Sequence, residues 1–195
     1  PISVMIILLS RATGFATDRF CAGSLILMGL GLNGIAMGLL GWVDAAADYV
    51  RLLLPITLLY GAGLGLLIVP LTSVAMGSLP SQLSGIASGV NNAASRLAGM
   101  LSIAIFGSVL ASVFGRVLTQ RLAAVPLDPI VRAELLGESA NLGAMRLPQG
   151  LSLPVIETIE SQIRLSLIDS FQFVIWLCAA SVSYTHLTLP TSSQV

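Results

Sequence analysis

The residues of this chain best able to do chemistry sit in an apolar setting. Ser84, Ser88, Asn91, Asn92, Ser95 and Arg96 interrupt a run that is otherwise rich in Ala, Gly, Val, Leu, Ile and Met. Steps of three and four join Ser84, Ser88, Asn91, Ser95, Gly99 and Ser102, which places them on one face of a helix. Hydroxyls and carboxamides on such a face can hydrogen-bond a ligand or a neighbouring helix, and a guanidinium can pair with a carboxylate or with backbone carbonyls. No nucleophile–base pair and no metal-ligand spacing accompanies them. The chemistry implied is therefore recognition rather than bond making. An Arg within a membrane span reads as a functional site. An Arg near the start of a helix that begins outside the bilayer can instead snorkel to the headgroups. Both readings stay open for Arg96.

The elements that must position this face are long and apolar. Of 195 residues, 55% are hydrophobic and 9% charged, against about 25% charged in soluble domains. Together with a mean hydropathy of +0.94, this indicates a polytopic, all-α transmembrane helix bundle. Nine acids balance nine bases, all of them arginine, so nothing points to nucleic acid or another polyanion. The two cysteines, Cys21 and Cys178, lie in or beside apolar runs and read more readily as small buried residues than as a disulfide.

Taken in order, residues 1–9 look like the end of a helix whose beginning is absent. Ser10–Phe20 then reads as a polar loop. The first full span is expected at 21–42, with Gly31, Gly34, Gly38 and Gly41 forming a stripe where another helix can approach, and Trp42 suits a membrane interface. Asp44, Asp48 and Arg51 mark a short aqueous loop. The second span, 52–77, carries Gly61, Gly63 and Gly65 at its middle and Pro70 further on. Pro70 removes a backbone donor and should kink or loosen the helix, so Gly61–Pro70 is either a tightly packed bend or a moving element. A turn near Ser78–Leu83 leads into the third span, 83–115. Its helix, continued to Leu122, would be about 57 Å long and would protrude from the bilayer. Gly85 and Gly89 offer a second close-approach face. Residues 116–168 read as an extramembrane loop with solvated charges, ending in an amphipathic helix over Val155–Ile168 in which Ile156, Ile159, Ile163 and Leu167 recur at helical spacing. A fourth span starts at 169 and breaks off at 181.

Val182–Thr191, VSYTHLTLPT, changes character inside that unfinished span. It resembles one reading frame of a transposase adapter used in sequencing libraries. On this reading residues 182–195 are a foreign tail, excluded from fold reasoning, and His186, the one histidine, carries no chemistry.

Several motifs together resemble the major facilitator superfamily, most closely the fourteen-span drug:proton antiporters of the EmrB/QacA type. They are GAGLG at 61–65, PLTSVA at 70–75, GIASGVNN at 85–92, then Arg96, Gly99 and Gly107. GFATDRF at 14–20 is similar to the family's cytoplasmic loop signature through Gly14, Asp18 and Arg19, and departs from it at Ala16 and Cys21. The resemblance implies that the chain is the C-terminal part of the second six-helix bundle, holding the end of the tenth span and the eleventh to fourteenth. The twelfth and thirteenth would line the central cavity, making Arg96, Asn91, Asn92, Ser88, Gly61, Gly65 and Pro70 the cavity or gating candidates. It further implies a bacterial plasma-membrane location, small hydrophobic or cationic substrates, protons as the coupling ion, no cofactor or metal, and a missing N-terminal half as partner. The coupling carboxylates would lie largely in that half. It also puts 10–20 and 78–83 in the cytoplasm, although arginine counts in the loops favour the reverse.

Two other function classes compete with a proton-coupled exporter. A small membrane protein that only packs or assembles with other helices would use the Gly faces, and it would need a short gene with its own start. A membrane enzyme has no catalytic constellation to support it.

Overall fold

The computed structural model describes residues 1–16, 21–44, 47–77, 80–148 and 150–188. Every regular element among them is helical. In chain order they are α1 (Ile2–Ala16), α2 (Ala22–Leu40), a π turn (Tyr49–Leu53), α3 (Leu54–Gly77), a 3-10 turn (Ser81–Leu83), α4 (Ser84–Ala123), α5 (Pro129–Gly137), a second 3-10 turn (Ser139–Ala144) and α6 (Leu153–Thr188). Four stretches are long and apolar enough to cross a membrane: Ala22–Leu40, Tyr49–Gly77, Ser84–Ala123 and Leu153–Thr185. The chain is a multi-pass, all-α membrane protein.

Two helices differ from the sequence reading. α1 does not stop at residue 9 but runs to Ala16, through half of the expected loop. Its hydroxyls turn inward: Ser10 Oγ donates to the Ile7 carbonyl at 3.1 Å and Thr13 Oγ1 to the Leu9 carbonyl at 2.7 Å, so neither competes for the helix's own N–H groups. The lead-in helix at Val155–Ile168 and the span expected from 169 are one 36-residue helix, α6. No Gly or Pro occurs between Val155 and Thr188, so nothing in the chain ends the helix at either expected boundary. The change of composition at Val182 does not interrupt it. Ser181 Oγ bonds back to the Leu177 carbonyl and Thr185 Oγ1 to that of Ser181. Residues 189–195 of the expected tail lie outside the described residues.

The chain forms two compact units, Pro1–Met100 with Ile175–Val195, and Leu101–Val174. In the first, α3 packs against both α1 and α2. Its start is set by Asp48, whose Oδ1 accepts from the backbone N–H of Val50 and Arg51 at 2.8 and 3.0 Å, an N-cap. Pro55 has no N–H, so the carbonyl four residues back lacks its α-type donor. The backbone enters through a π turn there and continues as α3.

The second unit has the larger apolar core. Phe114, Leu118 and Leu122 follow one stripe of α4 and are fully buried with Leu135 of α5 and Ile159 of α6. Asp128 caps α5 through the Ile130 N–H, with Pro129 at its first position, where a missing donor costs nothing. Of the expected apolar face, Ile159, Ile163 and Leu167 pack in this core, whereas Ile156 is half-buried and not part of it.

Candidate functional site

The polar face singled out in the sequence lies along the first half of α4. Ser88 and Asn91 are half-buried, while Asn92 and Arg96 are exposed. Arg96 has no ion-pair or hydrogen-bond partner among the described residues. The apolar neighbours Ile86, Val90, Leu97 and Met100 are more than half exposed as well. Gly85 and Gly89, expected to admit a close neighbour, have nothing within 4 Å of where a Cβ would sit, and the same holds for Gly99 and Gly107. Over 84–107 most polar and apolar side chains of this span-length helix are exposed, while Ala87 is buried.

The other candidates fall elsewhere. Gly61 and Gly65 lie on the side of α3 that meets α1. A Cβ on Gly61 would stand 2.8 Å from the Ile2 carbonyl oxygen, and one on Gly65 2.8 Å from Leu9 Cβ. Pro70 is fully buried inside α3. These three are positions of tight helix packing. Gly14 lies within α1 with open space around it. Asp18 and Arg19 lie outside the described residues.

Gly63, together with Gly29 and Thr13, which the sequence reading passed over, and Asn33, read there only as a polar residue of its span, holds this packing together. Gly63 faces α2 and meets Gly29, which the expected glycine stripe of α2 did not include. A Cβ on either would come within 2.8 Å of the other's carbonyl oxygen, so the two backbones touch at one crossing point. Asn33, one turn after Gly29 and only 4% exposed, directs its Oδ1 at the same spot. That oxygen would be closer still to a Gly63 Cβ and has no conventional hydrogen-bond partner among the described residues. Its neighbour is the Gly63 Cα–H, a weak donor that recurs at helix crossings. Thr13 is buried on α1 and shares its hydroxyl between the Leu9 carbonyl and the Gly65 carbonyl, the latter at 3.3 Å. Gly65 directly precedes Leu66, whose carbonyl loses its usual donor to Pro70. The stripe of α2 glycines serves α6 instead: a Cβ on Gly41 would lie 2.8 Å from the Trp176 indole, and one on Gly34 3.7 Å from Ser183 Oγ. Asn33 could have been picked out as the one carboxamide of an apolar span. Thr13 could not, because its helix was expected to have ended.

A second unforeseen pair lies in the other unit. Arg121 of α4 donates through Nη2 to Asp169 Oδ2 of α6 at 2.5 Å. Asp169 stands within the span-length helix α6. Beside it Ser166 and Ser170 are fully buried, and Ser170 donates to the Ser166 carbonyl. Among the described residues no group of three or more His, Cys, Asp or Glu comes together, and Cys21 and Cys178 are free thiols.

Sequence comparison shows what the chain is similar to. Over 144 residues, 72% of its length, the chain is 32% identical to the multidrug resistance protein Stp of Mycobacterium tuberculosis. Over 156 residues, 79% of its length, it is 27% identical to the tetracenomycin C resistance and export protein of Streptomyces glaucescens. This chain is a relative of the major facilitator drug exporters. It spans about a quarter of the length of these two relatives, 26% and 28%. No protein-family model matches it, and no solved structure does at the same stringency. Kinship with exporters gives the membrane bundle a location as well, the bacterial plasma membrane.

Proposed function

We propose that this chain is the C-terminal part of a proton-coupled multidrug efflux transporter that exports small hydrophobic or cationic compounds. The observation that carries the reading is the polar face of α4. Ser88, Asn91, Asn92 and Arg96 lie on a helix long and apolar enough to span the bilayer, and Arg96 is unpaired among the described residues. A cation left unpaired within a bilayer is costly. It is expected to find its partner in the part of the transporter beyond these residues, as a carboxylate or as backbone carbonyls at a gate. Ser88, Asn91 and Asn92 would line the pathway beside it and hydrogen-bond the solute. Transport would proceed by rocking of two bundles about a midplane site. The proton-carrying carboxylates would belong to the N-terminal half, so residues 1–181 alone should not transport.

Arg96→Ala and Arg96→Lys in the full-length transporter test this. Both should express and reach the membrane. Arg96→Ala should lower efflux by about tenfold or more, the equivalent of at least ~1.4 kcal/mol. Arg96→Lys should fall between it and wild type, because an ammonium keeps the charge but not the planar fork of donors. Wild-type efflux from both variants would remove Arg96 from the mechanism.

A further inference from the structure

We propose that the end of the α2–α3 hairpin is a binding site for an anionic phospholipid, a site independent of the export pathway on α4. A groove of about 550 Å3 opens there. Leu39 and Trp42 line it from the end of α2, and Leu52, Pro55, Ile56 and Leu59 from the start of α3. Five of the six side chains are aliphatic and the sixth is the Trp42 indole, so the groove suits a hydrocarbon chain.

Its depth in the bilayer follows from the aromatics. Trp42 is 76% exposed and Tyr49 54%. Trp42 packs edge-to-face on Trp176, centroids 5.9 Å apart. Amphipathic rings of this kind gather at headgroup level, so the groove begins at the interface and runs toward the acyl region. Charge decides which lipid. Arg51 immediately precedes the lining residue Leu52 and is exposed. Asp48 bonds the backbone N–H groups of Val50 and Arg51 and makes no ion pair with the Arg51 guanidinium. Arg51 has no ion-pair partner among the described residues. A guanidinium beside an apolar groove at headgroup depth matches a lipid phosphate whose acyl chain fills the groove.

The test uses the two tryptophans of the chain. Trp176→Phe leaves Trp42 as the reporter. The full-length transporter, with any tryptophans outside this chain replaced by phenylalanine, is reconstituted into phosphatidylcholine vesicles carrying either phosphatidylglycerol or phosphatidylcholine brominated on the acyl chain. Brominated phosphatidylglycerol should quench Trp42 with an apparent affinity about fivefold higher, the worth of one arginine near an anionic headgroup. Arg51→Gln should bring the ratio close to one and leave quenching by brominated phosphatidylcholine unchanged. Equal quenching by both lipids before that substitution would overturn the site. So would a phosphatidylglycerol preference that survives Arg51→Gln. Absence of quenching by either lipid would mean that protein covers the groove, which also overturns it.

Discussion

Single residues divide into those that hold helices together and those left free. Gly63 belongs to the first group. A methyl there would meet the Gly29 carbonyl at 2.8 Å and Asn33 Oδ1 closer still, and backbone cannot step aside as a flexible side chain can. Gly63→Ala should therefore cost roughly 1–3 kcal/mol or more, measured as a drop in the midpoint of thermal unfolding in detergent. Gly89→Ala in the same chain meets nothing within 4 Å and should leave that midpoint unchanged or slightly raised, since Ala favours helix by about 1 kcal/mol. Thr13→Val keeps the shape but loses the bond to the Gly65 carbonyl. It should destabilise by about 0.6–1.7 kcal/mol, the range of interhelical side-chain hydrogen bonds in membranes. The glycines of GAGLG were legible as packing or as a bend, because small residues at close spacing mean little else. Which helix each one meets was not legible. Alternate residues of α3 face different partners, Gly61 and Gly65 toward α1 and Gly63 toward α2, and that depends on tertiary arrangement. Asn33 was readable only as a polar residue in an apolar span. Its role needs Gly63 opposite it.

At the scale of elements, length and breakers decided what could be read. The four span-capable helices follow from apolar runs of sufficient length, and their existence was plain from composition. Their ends were less so. The expected loop at Ser10 rested on polarity, but Ser and Thr that bond their own helix are tolerated within it. The expected division of α6 rested on a change from amphipathic to fully apolar composition. A helix responds to Gly and Pro, not to such a change, and α6 has neither after Pro154. The consequence is that Asp169 meets Arg121 across α4 and α6, a pairing 48 residues apart that no local pattern carries. Its side chains are 31% and 42% exposed, so solvent screens it. A double-mutant cycle of Arg121→Leu and Asp169→Leu should give a coupling of at most about 1 kcal/mol. Leu118→Ala, in the fully buried core between α4, α5 and α6, should cost about 2–5 kcal/mol on the same assay. A coupling as large as that core substitution would mean that the pair, rather than the apolar seam, holds this unit together.

For the whole molecule, the chain is a set of membrane helices in which one, α4, keeps open faces over its polar stretch. The motifs at 61–75 and 85–107 made the kinship with drug exporters legible from the residues themselves, because each combines turn, packing and polar residues at fixed spacing. What the α4 face meets was not legible in these residues, which span about a quarter of the length of the two relatives. The central claim is that this face lines the export pathway. It is tested most directly by thiol labelling in the full-length transporter, with Cys21 and Cys178 replaced and single substitutions Ser88→Cys, Asn92→Cys and Val90→Cys introduced. The account predicts that a membrane-impermeant maleimide labels Ser88→Cys and Asn92→Cys, that an exported compound protects both, and that Val90→Cys, on the opposite side of α4, resists labelling. Resistance at residues 88 and 92, or labelling there that no exported compound slows, would contradict it.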